Sequence, residues 1–160
     1  MIRFNADEIF EMAEQIERNG AKFYRKAAET AEGTNRDLLL RLAAMEDDHE
    51  KTFAAMRAEL AEAEQRPLTF DPNDEAALYL QAMADGEVFG ADPSASLSGR
   101  EPLEDILTIA IGLEKDSIVF YESMKVMVPE GAGKEKIDAI IKQEIGHILN
   151  LTDQLGATTR

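Results

Sequence analysis

The 160-residue chain, 44% hydrophobic and 31% charged, has the size of one domain and can bury a core without covalent staples. A formal net charge of −15 repels nucleic acid and anionic lipid, and the lack of cysteine excludes disulfide frameworks, cysteine-bound iron and thiol catalysis. The longest apolar run, residues 106–113, is far too short for a bilayer, and the first residues lack a signal-peptide stretch, so the expected setting is cytoplasmic.

Abundant Ala, Glu, Leu, Met and Lys favour an all-α chain. Asn5 followed by Glu8 is a capping-box start, and Gly33 closes a first helix over about 6–31. Thr34 or Asn35 caps a second, about 36–65, which Pro67 forbids from continuing. Asp71-Pro72 with Asp74 opens a short helix over about 72–84. Residues 85–101, with Gly86, Gly90, Pro93 and Gly99, have the composition of a loop. Pro102 at a first helical position opens a third long helix, about 103–128. Pro129 and Gly131-Ala132-Gly133 separate it from a fourth, about 134–155. Short connections make each flanking pair an antiparallel hairpin, while about 35 residues between the second and third helices suit an end-to-end crossover. The expected architecture is a single-domain four-helix bundle of two hairpins joined by a long crossover containing a short helix.

Each long helix carries a stripe with alternating three- and four-residue steps. The first reads Ala6, Phe10, Ala13, Glu17, Gly20, Tyr24, Ala27, Ala31, and the second Leu39, Leu42, Glu46, His49, Phe53, Met56, Leu60. The third reads Leu103, Leu107, Ala110, Glu114, Ser117, Tyr121, Met124, Val128, and the fourth Ile137, Ile140, Glu144, His147, Leu151. All four stripes are apolar at their ends and place a glutamate near the middle. The halves also repeat: Glu17 and Glu114 each precede a tyrosine by seven residues, Tyr24 and Tyr121, and each half ends in Glu-x-x-His.

Four glutamates at one depth of a core cannot all stay ionised unaided, because each buried charge costs several kcal/mol and like charges add to it. Two divalent ions cancel four carboxylates, and two neutral imidazoles complete the ligand set. A glutamate and histidine three apart share a helix face and can reach one ion. Imidazole with carboxylate favours iron, manganese or zinc, and oxygen-rich bridging ligation favours a redox-active iron pair, with manganese as the other choice. With 20 glutamates in the chain, about one histidine in eight has Glu-x-x-His by chance. His49 and His147 are the only histidines and both have it, for roughly one chance in sixty. The candidate metal ligands are Glu17, Glu46, His49, Glu114, Glu144 and His147. Tyr24 and Tyr121 are either core aromatics or supports that bond a ligand carboxylate across the bundle.

The pattern resembles the ferritin-like di-iron carboxylate proteins, and among them the rubrerythrin family is most similar. The resemblance rests on Glu17 to Tyr24, Glu46-Asp47-Asp48-His49, Glu114 to Tyr121 and Glu144-Ile145-Gly146-His147, and covers all four long helices. It implies Glu17 and Glu114 as terminal ligands, Glu46 and Glu144 as bridges, and His49 and His147 as terminal nitrogen ligands. There are two departures. Typical rubrerythrins carry a cysteine-bound rubredoxin domain, and this chain has no cysteine, so electrons must come from a separate donor protein or small molecule. Peroxide-reducing members place a further glutamate three residues after the third-helix glutamate, where this chain has Ser117.

The expected function is a di-iron oxidoreductase of rubrerythrin type, reacting with hydrogen peroxide or oxygen and re-reduced by an external donor. The alternative is a ferroxidase or iron-binding protein for storage or detoxification; a hydroxylase and a metal-free interaction module are more remote. Ile140, Ile141, Ile145, Ile148 and Leu149 exceed one stripe, which predicts a homodimer, with neither nucleic acid nor membrane as partner.

Overall fold

The computed structural model describes residues 5–60, 78, 79, 82, 92–128 and 130–158. Four long helices, α1 (Ala6–Ala28), α2 (Gly33–Ala58), α3 (Leu103–Met127) and α4 (Lys134–Thr158), account for most of them. A single 3-10 turn spans Pro93–Ser96, and no strand occurs among the described residues. No helix among the described residues is long and apolar enough to cross a membrane.

The helix ends follow from local chemistry. The Asn5 side chain accepts from the Glu8 backbone N–H, and the Glu8 carboxylate accepts from that of Asn5, both at 2.9 Å. That reciprocal box starts α1. The helix ends at Ala28, short of the expected residue 31, because the Glu29 and Thr30 N–H groups bond three residues back to Lys26 and Ala27 and tighten the last turn. Helix α2 starts at Gly33, whose φ of 55° suits glycine, with Glu32 rather than Thr34 or Asn35 at the cap position. It ends at Ala58, and residues 61–77 lie outside the described residues, as does most of the short helix expected over about 72–84. Within that stretch Leu78, Tyr79 and Ala82 have helical backbone. Pro102 sits one residue earlier than expected, at the cap of α3, and its carbonyl accepts from Asp105 and Ile106. The stretch taken for plain loop is organised between residues 92 and 101. Asp92 caps the 3-10 turn, the Glu101 carboxylate collects the backbone N–H groups of Ser98, Gly99 and Arg100, and Leu97 is buried.

Cross-helix pairs fix the helix directions. Between α1 and α2, Arg57 meets Asp7, Glu50 meets Arg18 and Asp47 meets Arg25, so one number falls as the other rises. The same inversion relates α3 to α4 (Lys125–Asp138, Glu114–His147), α1 to α3 (Glu17–Tyr121, Tyr24–Glu114) and α2 to α4 (Glu46–His147, His49–Glu144). Each of these four pairs is antiparallel, so α2 and α3 run parallel to each other. The chain between Leu60 and Glu101 therefore connects opposite ends of the bundle.

The core divides in two. One cluster, around Phe10, Phe53, Phe120, Met124 and Ile137, fills one end, and another, around Phe23, Leu39, Leu42, Leu107 and Leu151, fills the other. Each fully buried large side chain in them contributes about 1.5–3 kcal/mol. The glutamates and histidines lie between these two apolar blocks. Ile141, expected beyond the inward stripe, joins Ile140 in this chain's own core, because α4 turns a wide face inward; Ile145 and Leu149 do remain exposed.

Candidate metal centre

Each helix brings its part of the cluster to the same level. Glu17 comes from α1, Glu46 and His49 from α2, Glu114 from α3, and Glu144 and His147 from α4. All six are at most 4% exposed. The three-residue spacing puts Glu46 beside His49 and Glu144 beside His147 on inward faces, as expected for a helix. The antiparallel directions then bring the two halves face to face.

Both histidines turn Nδ1 into the cluster. His49 Nδ1 lies 2.8 Å from Glu144 Oε1, 3.4 Å from Glu17 Oε2 and 3.7 Å from Glu46 Oε2. His147 Nδ1 lies 2.9 Å from Glu144 Oε2, 3.2 Å from Glu46 Oε1 and 3.4 Å from Glu114 Oε1. The two rings stack nearly parallel at 15°, with centroids 5.7 Å apart. Two candidate ligand sets result, Glu17, Glu46, His49 and Glu144, and Glu46, Glu114, Glu144 and His147. Within each set the donor atoms lie within 4.8 Å of one another, and Glu46 and Glu144 belong to both.

Protonation keeps this layer neutral. Burial, reinforced by the Glu46 charge, raises Glu17 and Glu114 well above the usual carboxylate range. Glu46 and Glu144 are buried as well, but the close approach of His147 and His49, and of Glu17 to Glu46, outweighs that effect and holds both low. Burial opposes charge on the histidines, yet the surrounding carboxylates overcome it, raising His49 and pushing His147 up to about 12. The raised values of Glu17, Glu114, His49 and His147 favour protons on this layer, which offset the charge of Glu46 and Glu144. Two divalent cations would supply positive charge in place of those protons.

The fit to metal is visible in unpartnered atoms. Glu17 Oε2, Glu46 Oε1, both oxygens of Glu144 and Nδ1 of each histidine are buried without hydrogen-bond partners, although buried polar atoms are nearly always satisfied. All of them face the same small volume, and carboxylate with imidazole is a donor set for a transition-metal ion. The residues present fit a pair of such ions.

Around the cluster, the Tyr24 hydroxyl donates to Glu114 Oε1 and the Tyr121 hydroxyl donates to Glu17 Oε1. Burial, reinforced by those same glutamates, raises both phenols well above their ordinary range, so they remain neutral donors. Gly20, one turn along from Glu17, borders Glu46: a Cβ there would touch it, 3.4 Å from Glu46 Cγ. Ser117 occupies the equivalent place after Glu114, and its hydroxyl turns back to the Leu113 carbonyl at 3.0 Å, away from the cluster.

Sequence reasoning missed Gln143, whose Oε1 lies 2.6 Å from His49 Nε2. Its position off the apolar stripe gives an exposed polar residue no distinguishing signal. Glu14 was missed too. It is buried but bonded to Arg18 and Arg57, outside the cluster. Between α2 and α4 a cavity of about 430 Å³, lined by Met45, Asp48, His49, Lys136, Ile140 and Gln143 among others, reaches the His49 edge.

No family model matches the chain, and no curated protein matches it. A chain from Thermotoga maritima, whose crystal structure is described as that of a ferritin-like diiron-carboxylate protein, is similar in fold. It has a TM-score of 0.73 and 21% identity, over 99% of each chain. The architecture of this protein is accordingly the ferritin-like four-helix fold.

Proposed function

We propose that this chain is a di-iron carboxylate oxidoreductase of rubrerythrin type, which reacts with hydrogen peroxide or oxygen and receives its electrons from a separate donor. One observation carries the reading: six buried donors form two sets that share two glutamates, with charge requirements that two divalent ions meet. In this assignment Glu46 and Glu144 would be shared between the two ions, Glu17 and Glu114 would each hold one, and each histidine would offer Nδ1. Iron is favoured over manganese by the description of the Thermotoga maritima relative in fold as a diiron-carboxylate protein.

Bound in this site, an iron pair supplies two electrons, enough to reduce one hydrogen peroxide molecule to water when two protons accompany them. The chain does the rest. Tyr24 and Tyr121 hold the outer carboxylates in place, and the apolar clusters on either side keep bulk water from the layer. Full burial by six ligands suits ions that stay resident rather than ions in transit to storage. Having no cysteine, the chain holds no sulfur-bound electron carrier, so the donor is external. Ser117 offers no fifth carboxylate, which distinguishes this site from the peroxide-reducing arrangement and makes oxygen the oxidant to compare first.

Stopped-flow oxidation of the reduced, iron-loaded protein tests the proposal. Oxidation by peroxide or oxygen faster than free ferrous iron, followed by re-reduction with an added donor, is expected. Turnover of excess ferrous iron without any donor would instead mark a ferroxidase.

A further inference from the structure

We propose that the two metal positions are unequal, because Gln143 positions His49 for the tighter-bound ion while His147 has no such partner among the described residues. This rests on the metal-centre reading above. The halves of the site correspond residue by residue: Glu46 and Glu144, and His49 and His147, are separated by the same interval, and that interval sets Gln143 against Met45. An amide therefore stands in one half where the other has a thioether.

The consequence is seen at the outer ring nitrogens. His49 Nε2 meets Gln143 Oε1 at 2.6 Å, whereas His147 Nε2 is buried and has no hydrogen-bond partner among the described residues. A histidine that ligates through Nδ1 carries its proton on Nε2, and an acceptor there fixes the tautomer, orients the ring and strengthens the ligand. His49 has that acceptor. His147 would have to bury an unsatisfied N–H, which weakens its side of the centre. The cavity between α2 and α4 adds to the difference, because it reaches His49 and Gln143 directly. The set with Glu17, Glu46, His49 and Glu144 fills first; the set with Glu114 and His147 fills second.

Anaerobic titration of the metal-free full chain with Co(II), followed by visible absorption and calorimetry, tests this. Two resolved steps are expected, the first tighter by about ten-fold or more. Gln143→Leu should weaken the first step by about ten-fold and leave the second unchanged, while Gln143→Glu, which keeps an acceptor oxygen, should retain it. Met45→Gln, at an exposed position, should strengthen the second step; if Gln143→Leu does not fold, a second step unchanged in Met45→Gln overturns the inequality. Two equal steps in the wild-type chain, or a first step indifferent to Gln143→Leu, overturn the inequality while the metal centre stands. Wild-type protein that binds no Co(II) overturns both.

Discussion

Tyr24 of α1 donates its phenol proton to Glu114 of α3, and Tyr121 of α3 makes the reciprocal bond to Glu17 of α1, so each half of the bundle holds the outer carboxylate of the other. Tyr24→Phe keeps the ring in its apolar cluster and removes only the bond. The expected result is a folded protein whose affinity for the ion on the Glu114 side falls about ten-fold in a Co(II) titration. Tyr121→Phe should do the same on the Glu17 side. A lower melting temperature with unchanged metal affinity would show that the phenols serve packing alone.

Sharing of Glu46 and Glu144 between the two ligand sets makes stoichiometry diagnostic. Elemental analysis after anaerobic iron loading should find about two ions per wild-type chain and about one in Glu17→Gln. Glu144→Gln, which touches both sets, should hold neither ion firmly. Equal losses in the two variants would contradict the division into terminal and bridging carboxylates.

The proton inventory sets the pH dependence. Glu17, Glu114, His49 and His147 all have raised folded-state values, so without metal the folded chain holds protons that the unfolded chain has released above about pH 6.5. Their stabilisation is complete below the unfolded values and is lost as pH rises toward the folded ones. Each retained proton thus lowers stability by about 1.4 kcal/mol per pH unit. Metal-free protein should melt at lower temperature at pH 9 than at pH 7. Metal-loaded protein should not show that decline, and loading two ions should release about four protons, measurable by calorimetry in buffers of different ionisation enthalpy. Release of two or fewer would contradict the assigned protonation.

Gly20 borders Glu46: a Cβ there would just touch its side chain, and a longer side chain directed the same way would crowd the carboxylate. Gly20→Leu should displace Glu46 and reduce bound iron below one ion per chain. It should also melt lower than wild type even without metal, since the added side chain crowds Glu46 in the packed layer. Normal iron content in this variant would show that Glu46 can reach the centre by another route.

Ile145 and Leu149 lie one turn apart on the outer side of α4, 48% and 62% exposed. A homodimer that covers them is the expected assembly, and Ile145→Glu with Leu149→Glu should render it monomeric in sedimentation without loss of metal binding. Monomeric wild-type protein at micromolar concentration would dismiss the dimer.

The six clustered glutamates and histidines were legible because periodicity and chemistry disagreed at those positions. A helix stripe says inward, a carboxylate says water, and four such conflicts at matched intervals have a physical resolution in shared cations. The tyrosines were half legible: their repetition marked them, yet only the fold shows that each bonds across to the other half.

By itself the sequence determined the four helical stripes, the Asn5–Glu8 start and the six inward glutamates and histidines, because these depend on local spacing. Tertiary structure decided the antiparallel pairing that sets Glu144 against His49, the bond from Gln143 to His49, the burial of Leu97 and the inward turn of Ile141. Those relations join residues remote along the chain, and nothing in the local spacing specifies which surfaces of two helices meet.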